Sequence, residues 1–312
     1  MTKQIKDQSV IEISHLSKRY DEVIAVDEVN LKVNSGSIFA LLGPNGAGKT
    51  TTVKILEGLM KRDAGEIRIF GLDPWEDQEK LKLMIGVMPQ EFNFFEKLTP
   101  LEAVDFYIKL FNLNIDPYHL LKMVLLEDSI NTLFEKLSGG QKQKLGLALS
   151  IINNPDLLFL DEPTTGLDPA SRRAIWSVIR AFKDKGKTIV LTTHYLEEAE
   201  QLADIVAIIN HGKIIAIGSP SAIVSQHGTG RKLVLKADKE MFRYLESMGI
   251  KVSENNGALE ILLNPYQMLS NLISIIEISG IEYSQLTVRS DSLEDVFIKL
   301  VGERKEDEKQ WL

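Results

Sequence analysis

Apolar and polar positions alternate along the chain with two different periods. Residues 10–13 and 29–33 swap apolar for polar at every step, the pattern of half-buried strands. Residues 37–42, 156–160 and 188–192 are continuous apolar runs, as expected of strands covered on both faces. Residues 65–70 alternate between bounding glycines and read as another strand. Helical periodicity predicts helices over 49–60, 100–112, 138–153 and 170–183. Residues 205–209 and 213–217 predict a hairpin turning at Asn210, His211 and Gly212. Strands interleaved with helices imply an α/β fold with a mainly parallel central sheet.

The pattern changes after a stretch rich in breakers, from Gly218, Ser219 and Pro220 to Gly228, Thr229 and Gly230. Beyond it the order is strand 232–237, helix 239–248, strands 250–253 and 259–263, helix 265–279 and strand 281–288. This βαββαβ order resembles a ferredoxin-like α+β unit. A last helix is predicted over 292–301, followed by seven charged residues, 303–309, that read as a solvated tail. The expected organisation is one domain over 1–220 with a helical subdomain at about 92–153, a second domain over 221–302, and a charged tail over 303–312.

Composition narrows the class. At 312 residues, two domains are expected at ~100–200 residues each. The 36 basic and 44 acidic side chains give a net charge of −8, a poor match to a protein that coats nucleic acid. Cysteine is absent, which removes disulfides, thiolate metal sites and cysteine nucleophiles. The start of the chain shows no secretory signal, and no window approaches the ~18–20 apolar residues of a membrane span.

The chemistry begins at Gly43, Pro44, Asn45, Gly46, Ala47, Gly48, Lys49 and Thr50. This run fits G-x-x-x-x-G-K-[ST] and lies between a buried strand and a helix, the context the motif requires. Glycines let backbone N–H groups curl around phosphate oxygens, and the helix adds its positive end. Lys49 is expected to reach the β- and γ-phosphates and Thr50 to ligate Mg²⁺, with Thr51 adjoining the phosphates. The apolar run 157–160 ends in Asp161 and Glu162. Asp161 is expected to hold Mg²⁺ and Glu162 to act as general base toward the attacking water. A capping role for this acidic pair before Pro163 is the structural alternative.

A third motif identifies the family. Leu137, Ser138, Gly139, Gly140 and Gln141 resemble the signature of ATP-binding cassette (ABC) ATPases, and other family features appear in order. The resemblance covers roughly residues 10–220. It implies that Tyr20 stacks on adenine, that Gln90 is the Q-loop glutamine contacting Mg²⁺ and the reacting phosphate, and that Asp168 is the D-loop aspartate. It makes His194 the switch histidine at the γ-phosphate. It also implies a head-to-tail dimer, a homodimer or pseudo-dimer, that buries two ATP molecules between Lys49 of one chain and Ser138 of the other. Ser138 reads equally as a helix N-cap, and both roles use one helix end.

Phe92, Phe94 and Phe95 lie in the region that, in the family, adjoins the groove receiving a permease; at least one is expected to be exposed. The ending around Asp291, Ser292 and Glu294 resembles the close of efflux ATPase subunits of the daunorubicin-exporter type. The resemblance implies an ATPase motor, cytoplasmic and peripheral to the membrane through an integral permease subunit, with no nucleic acid partner and the small domain regulatory or dimer-bracing. A soluble ABC ATPase acting on nucleic acid or ribosomes, and an importer ATPase, are the alternative classes.

Overall fold

A computed structural model describes residues 9–255, 257–263 and 269–309, with the side chains of residue 255 and of residues from 303 onward not described. The chain divides into two compact units, Met1–Pro220 and Ser221–Leu312. The first holds β1 (Ser9–Tyr20), β2 (Val23–Asn34), β3 (Ile38–Leu42), α1 (Lys49–Leu56), β4 (Ala64–Ile69), α2 (Gln78–Leu81) and β5 (Ile85–Met88). It continues with α3 (Pro100–Leu110), α4 (Pro117–Met123), α5 (Gly139–Ser150), β6 (Leu157–Asp161), α6 (Pro169–Asp184), β7 (Thr188–Thr193) and α7 (Leu196–Leu202). It ends with β8 (Ile205–Asn210) and β9 (Lys213–Gly218), and α8 (Pro220–His227) begins at the boundary.

The central sheet runs β5-β6-β7-β3-β8-β9. All neighbours are parallel except the closing β8–β9 hairpin. Every residue of β3, β6 and β7 is buried, which is why the sequence there is apolar without alternation. A separate antiparallel sheet, β2-β1-β4, alternates as expected and packs its inner face into the same core as Phe39, Phe159 and Val53. Its strands β1 and β2 are longer than the periodicity predicted: polar residues such as Ser14, Lys18 and Arg19 extend β1 through cross-strand pairing, alongside the buried Leu16 and Val26.

α6 shows how helix, cap and core cooperate. Asp168 caps it by accepting from the N–H groups of Ala170 and Ser171, and Pro169 occupies the first turn. Ile175, Trp176, Val178, Ile179 and Phe182 then form one buried stripe. α1 stops at Leu56, earlier than predicted, because the chain reverses at Gly58, whose φ is +73°.

The second unit holds β10 (Arg231–Ala237), α9 (Lys239–Ser247), β11 (Val252–Asn255), β12 (Ala258–Leu262), α10 (Leu269–Ile278), β13 (Tyr283–Ser290) and α11 (Leu293–Lys309). Its sheet is wholly antiparallel in the order β11-β12-β10-β13. Leu233, Leu235, Leu259 and Ile261 pack against Met241 and Leu245 of α9 and Leu272 and Ile276 of α10. The expected start of the fifth element at residue 265 and the side chains of the tail lie outside the described residues, and α11 runs on past the predicted end at 301 through the expected tail to Lys309. The breaker-rich stretch is not a loop throughout: residues 220–227 form α8, which Pro220 starts without loss because a first-turn N–H has no helical partner. Among the described residues, no helix is long and apolar enough to cross a membrane.

Candidate nucleotide site

Between β3 and α1 the chain makes a turn that only glycine permits at two points. A Cβ on Gly43 would sit 2.3 Å from the carbonyl oxygen of Ile209. One on Gly48 would sit 2.2 Å from that of Ala25, and Gly48 has φ +105°. Gly48 is also the N-cap of α1 and offers no side-chain cap, so the first turn of the helix opens without a competing acceptor. The buried Lys49 side chain folds back, donating to the carbonyls of Gly43 at 2.8 Å and Pro44 at 3.1 Å. Burial lowers its pKa below the usual lysine range, and the carboxylates of Glu162 and Asp161 offset part of that shift.

β6 delivers the two carboxylates. Asp161 is buried at the strand end and accepts from the Thr192 hydroxyl. Glu162 follows at φ 49°, a left-handed conformation that non-glycine residues rarely adopt. The turn is held by the Glu162 N–H, which faces both the Thr192 hydroxyl at 3.0 Å and the Thr192 carbonyl at 3.2 Å. Its carboxylate then gathers the site: Thr165 Oγ1 donates at 2.9 Å, Gln90 Nε2 donates at 3.2 Å, and Lys49 Nζ lies 3.8 Å away. His194 Nδ1 stands 3.2 Å from Glu162 Oε2, within ion-pair reach but not aligned as a hydrogen bond.

A cavity of about 430 Å³ joins these groups. It is lined by Asn45, Gly46, Gly48, Lys49, Thr50, Thr51, Gln90, Glu162 and His194 of the expected set, together with Ala25 and Thr165. Gly43, Pro44 and Ala47 shape the loop behind it. Asp161 stands one residue from the lining, at the end of β6. Tyr20, the last residue of β1, is exposed and is not among the lining residues; its hydroxyl contacts the Met60 sulfur. Ser138, Gly139, Gly140 and Gln141 open α5 and also lie outside the lining. Ser138 Oγ accepts from the Gln141 N–H at 3.3 Å while Gln141 Oε1 accepts from the Ser138 N–H at 2.8 Å. Gly140 is compact for a reason: a Cβ there would meet Ser171 Oγ at 3.0 Å. Asp168 is occupied as the cap of α6.

The oxygen donors suit magnesium. Thr50 and Gln90 face the cavity and Asp161 supplies a carboxylate, all hard ligands. Among the described residues no cluster of three or more His, Asp or Glu could hold a metal by itself. Magnesium commonly takes one or two carboxylates, its other ligands being waters and substrate phosphates.

Thr165 was visible in the sequence only as part of the turn after Glu162, and Ala25 carried no signal at all. It enters because β2 reaches back far enough to close over Gly48.

A phosphate loop opening a helix beside a strand-end carboxylate pair defines a P-loop nucleotide triphosphatase. The ABC transporter family model matches residues 26–165. A daunorubicin resistance ATP-binding protein of Streptomyces coeruleorubidus is 33% identical over 305 residues, 95% of this chain and 96% of that protein. A Nod factor export ATP-binding protein of Ralstonia nicotianae is 35% identical over 96% of this chain and 95% of its own length. Among solved structures, the ATP binding subunit of an ABC transporter superposes with a TM-score of 0.62 at 31% identity, covering 70% of this chain and 92% of that one. A bacterial ABC transporter cassette solved as a dimer gives a TM-score of 0.61 at 28% identity, covering 67% and 98%. The chain belongs to the ABC transporter family and is one of its ATPases.

Proposed function

We propose that this chain is the ATP-hydrolysing motor of a membrane exporter, driving a separate integral permease from the cytoplasmic face. The observation that carries the reading is Glu162, fixed in a left-handed turn with Gln90, Thr165, Lys49 and His194 around its carboxylate. In this reading the P-loop amides and Lys49 neutralise the ATP phosphates, exchanging the carbonyls of Gly43 and Pro44 for phosphate oxygens. Thr50, Gln90 and Asp161 hold Mg²⁺, which supplies charge neutralisation on the phosphates. Glu162 takes the proton of the attacking water, and His194 contacts the γ-phosphate. Tyr20 stacks on the base. Ser138, Gly139, Gly140 and Gln141 of a second chain, with its Asp168, close over the nucleotide in a head-to-tail dimer.

Two further features support coupling to a permease. A groove of about 430 Å³ is lined by Leu59, Ile85, Val87, Tyr107, Phe111 and Leu149, more apolar than polar. Near the same helices Phe95 is 65% exposed, while Phe92 and Phe94 stack into a ring cluster with Phe134. An apolar groove of this size suits a short helix from a partner. Export, rather than import, is favoured by relatives named for daunorubicin resistance and Nod factor export that match almost the whole chain. For the second unit, the βαββαβ order with the antiparallel sheet β11-β12-β10-β13 supports a ferredoxin-like assignment and a regulatory or dimer-bracing role.

The test is purification through a tag on this chain from detergent-solubilised membranes. An integral membrane protein is expected to co-purify, and the pair in vesicles is expected to expel substrate on MgATP. Isolation with no integral partner overturns the motor reading, and inward movement overturns export.

A further inference from the structure

His194 enters the cavity from the end of β7 with few polar restraints. Its buried Nδ1 lies 3.2 Å from Glu162 yet makes no hydrogen bond. What packs against the imidazole is the next residue: the His194 and Tyr195 rings have centroids 4.2 Å apart and planes inclined by 39°. Tyr195 is itself gripped. The guanidinium carbon of Arg172 stands 4.5 Å from the centre of the phenol ring. Arg172 lies one turn into α6, where its N–H donates to the carbonyl of the capping Asp168, and its Nη1 is 3.6 Å from Glu197.

The ground under this stack is rigid. Glu198, fully buried on α7, accepts from Trp176 Nε1 of α6 at 3.0 Å and from Thr164 Oγ1 at 2.8 Å. Thr164 is two residues past Glu162. One carboxylate therefore pins α6, α7 and the turn of the general base together, so Arg172 and Tyr195 are held in fixed relation to Glu162.

We infer that Tyr195, clamped by Arg172, is the positioning residue for His194 and sets the plane in which the imidazole meets the reacting phosphate. The inference rests on the reading of Glu162 and His194 proposed above. Ring stacking and cation–π contact orient an imidazole without engaging either nitrogen, so Nε2 stays available for hydrogen bonding to phosphate while the buried Nδ1 stays facing Glu162. A histidine oriented by a hydrogen bond would have one nitrogen committed. Loss of such orientation lowers the rate of the chemical step while ATP binding, which depends on the P-loop, is retained.

The experiment is steady-state MgATP hydrolysis by the full-length chain. Tyr195→Leu and Arg172→Leu are each expected to lower kcat about five- to tenfold with KM for ATP within about twofold. Tyr195→Phe, which keeps the ring, is expected to recover most of the lost kcat. In a His194→Ala background, Tyr195→Leu is expected to cause no further loss, because the group it positions is gone. Parental kcat in both leucine variants overturns the inference, as does an equal loss with and without His194. If His194→Ala itself hydrolyses ATP at the parental rate, the histidine's catalytic role falls and the positioning role falls with it. A slow His194→Ala beside an unimpaired Tyr195→Leu removes the positioning role alone.

Discussion

Two helices of the first unit begin in glycine-rich turns, and they prepare their positive ends in opposite ways. α1 starts after Gly48, which has no side chain to cap it, and its first turn faces the cavity that Glu162 and His194 also line. α5 starts after Ser138, which closes a reciprocal capping box with Gln141, and Gln141 is tied further to Ser129 at 2.7 Å. The first helix end is open to an anion inside its own chain. The second satisfies itself while the chain is alone. Its weaker link, the 3.3 Å contact from the Gln141 N–H to Ser138, is long enough to yield when a phosphate arrives from elsewhere.

The largest effect should follow from the chemistry that only the α1 side owns. Glu162→Gln is expected to lower kcat about 10²–10⁴-fold, the usual range for removing a general base. ATP affinity should survive, because Lys49 and the P-loop residues that line the cavity with it are left unchanged when the charge of Glu162 is gone. Single-turnover hydrolysis with a parallel nucleotide-binding titration checks both halves. Normal turnover by this variant would falsify the base assignment.

Next comes the steric half of the contrast. Gly48→Ala drives a Cβ to 2.2 Å from the Ala25 carbonyl at a φ of +105°, so about 1–3 kcal/mol of strain is expected with tenfold or greater loss of ATP affinity. Gly139→Ala, at the first position of α5, meets only Leu167 at 3.5 Å, an ordinary contact. It should leave the melting temperature and the ATP affinity of the isolated chain near parental. Calorimetric titration with a non-hydrolysable ATP analogue separates the two, and equal losses in both variants would erase the distinction between the helix ends.

The same contrast explains what could be read from the chain and what could not. The α1 side was legible because its determinants are local: glycines at fixed spacing, then Lys49 and Thr50 after an apolar strand. The buried strands β3, β6 and β7 were legible because parallel sheets covered on both faces leave continuous apolar runs. The capping box of Ser138 and Gln141 was half visible, since serine before a helix signals a cap while the return bond needs Gln141 in place. Ala25, Tyr195 and Arg172 were invisible. Their roles come from tertiary approach: β2 lengthened by pairing with β1, and α6 laid across α7. Nor does any spacing rule reveal that Glu162 adopts a left-handed turn, which Thr192 of a strand 30 residues away secures.

The far ends of the two helices differ as well. The C-cap of α1 is Glu57, whose buried carboxyl is pushed up to about 8, first by burial and then by the nearby charge of Asp161, with Lys54 opposing. The C-cap of α5 is the apolar Ile151. The folded carboxyl therefore keeps its proton where the unfolded one, near 4.5, has lost it. A raised carboxyl pKa means that stability falls as pH rises between those values, by up to ~1.4 kcal/mol per pH unit. Denaturant unfolding of the Mg²⁺-free protein at pH 5.5 to 7.5, compared with Glu57→Gln, is the measurement. The variant should flatten the slope, and an unchanged slope would mean that other groups carry the pH dependence.

The smallest effect belongs to the cap itself. Ser138→Ala removes one half of the α5 capping box and should lower stability by about 1 kcal/mol, a shift of about 2–4 °C in melting temperature. ATP affinity of the isolated chain should not move, since Ser138 lies outside the cavity around Lys49. Hydrolysis should fall nonetheless, and only in the concentration range where chains pair, if Ser138 serves a nucleotide held by the other copy as in the proposed head-to-tail dimer. The decisive plot is specific activity against protein concentration. A deficit that persists equally at every concentration assigns Ser138 to the fold of its own chain alone; a deficit that grows as parental activity rises with pairing assigns it to the neighbour's ATP.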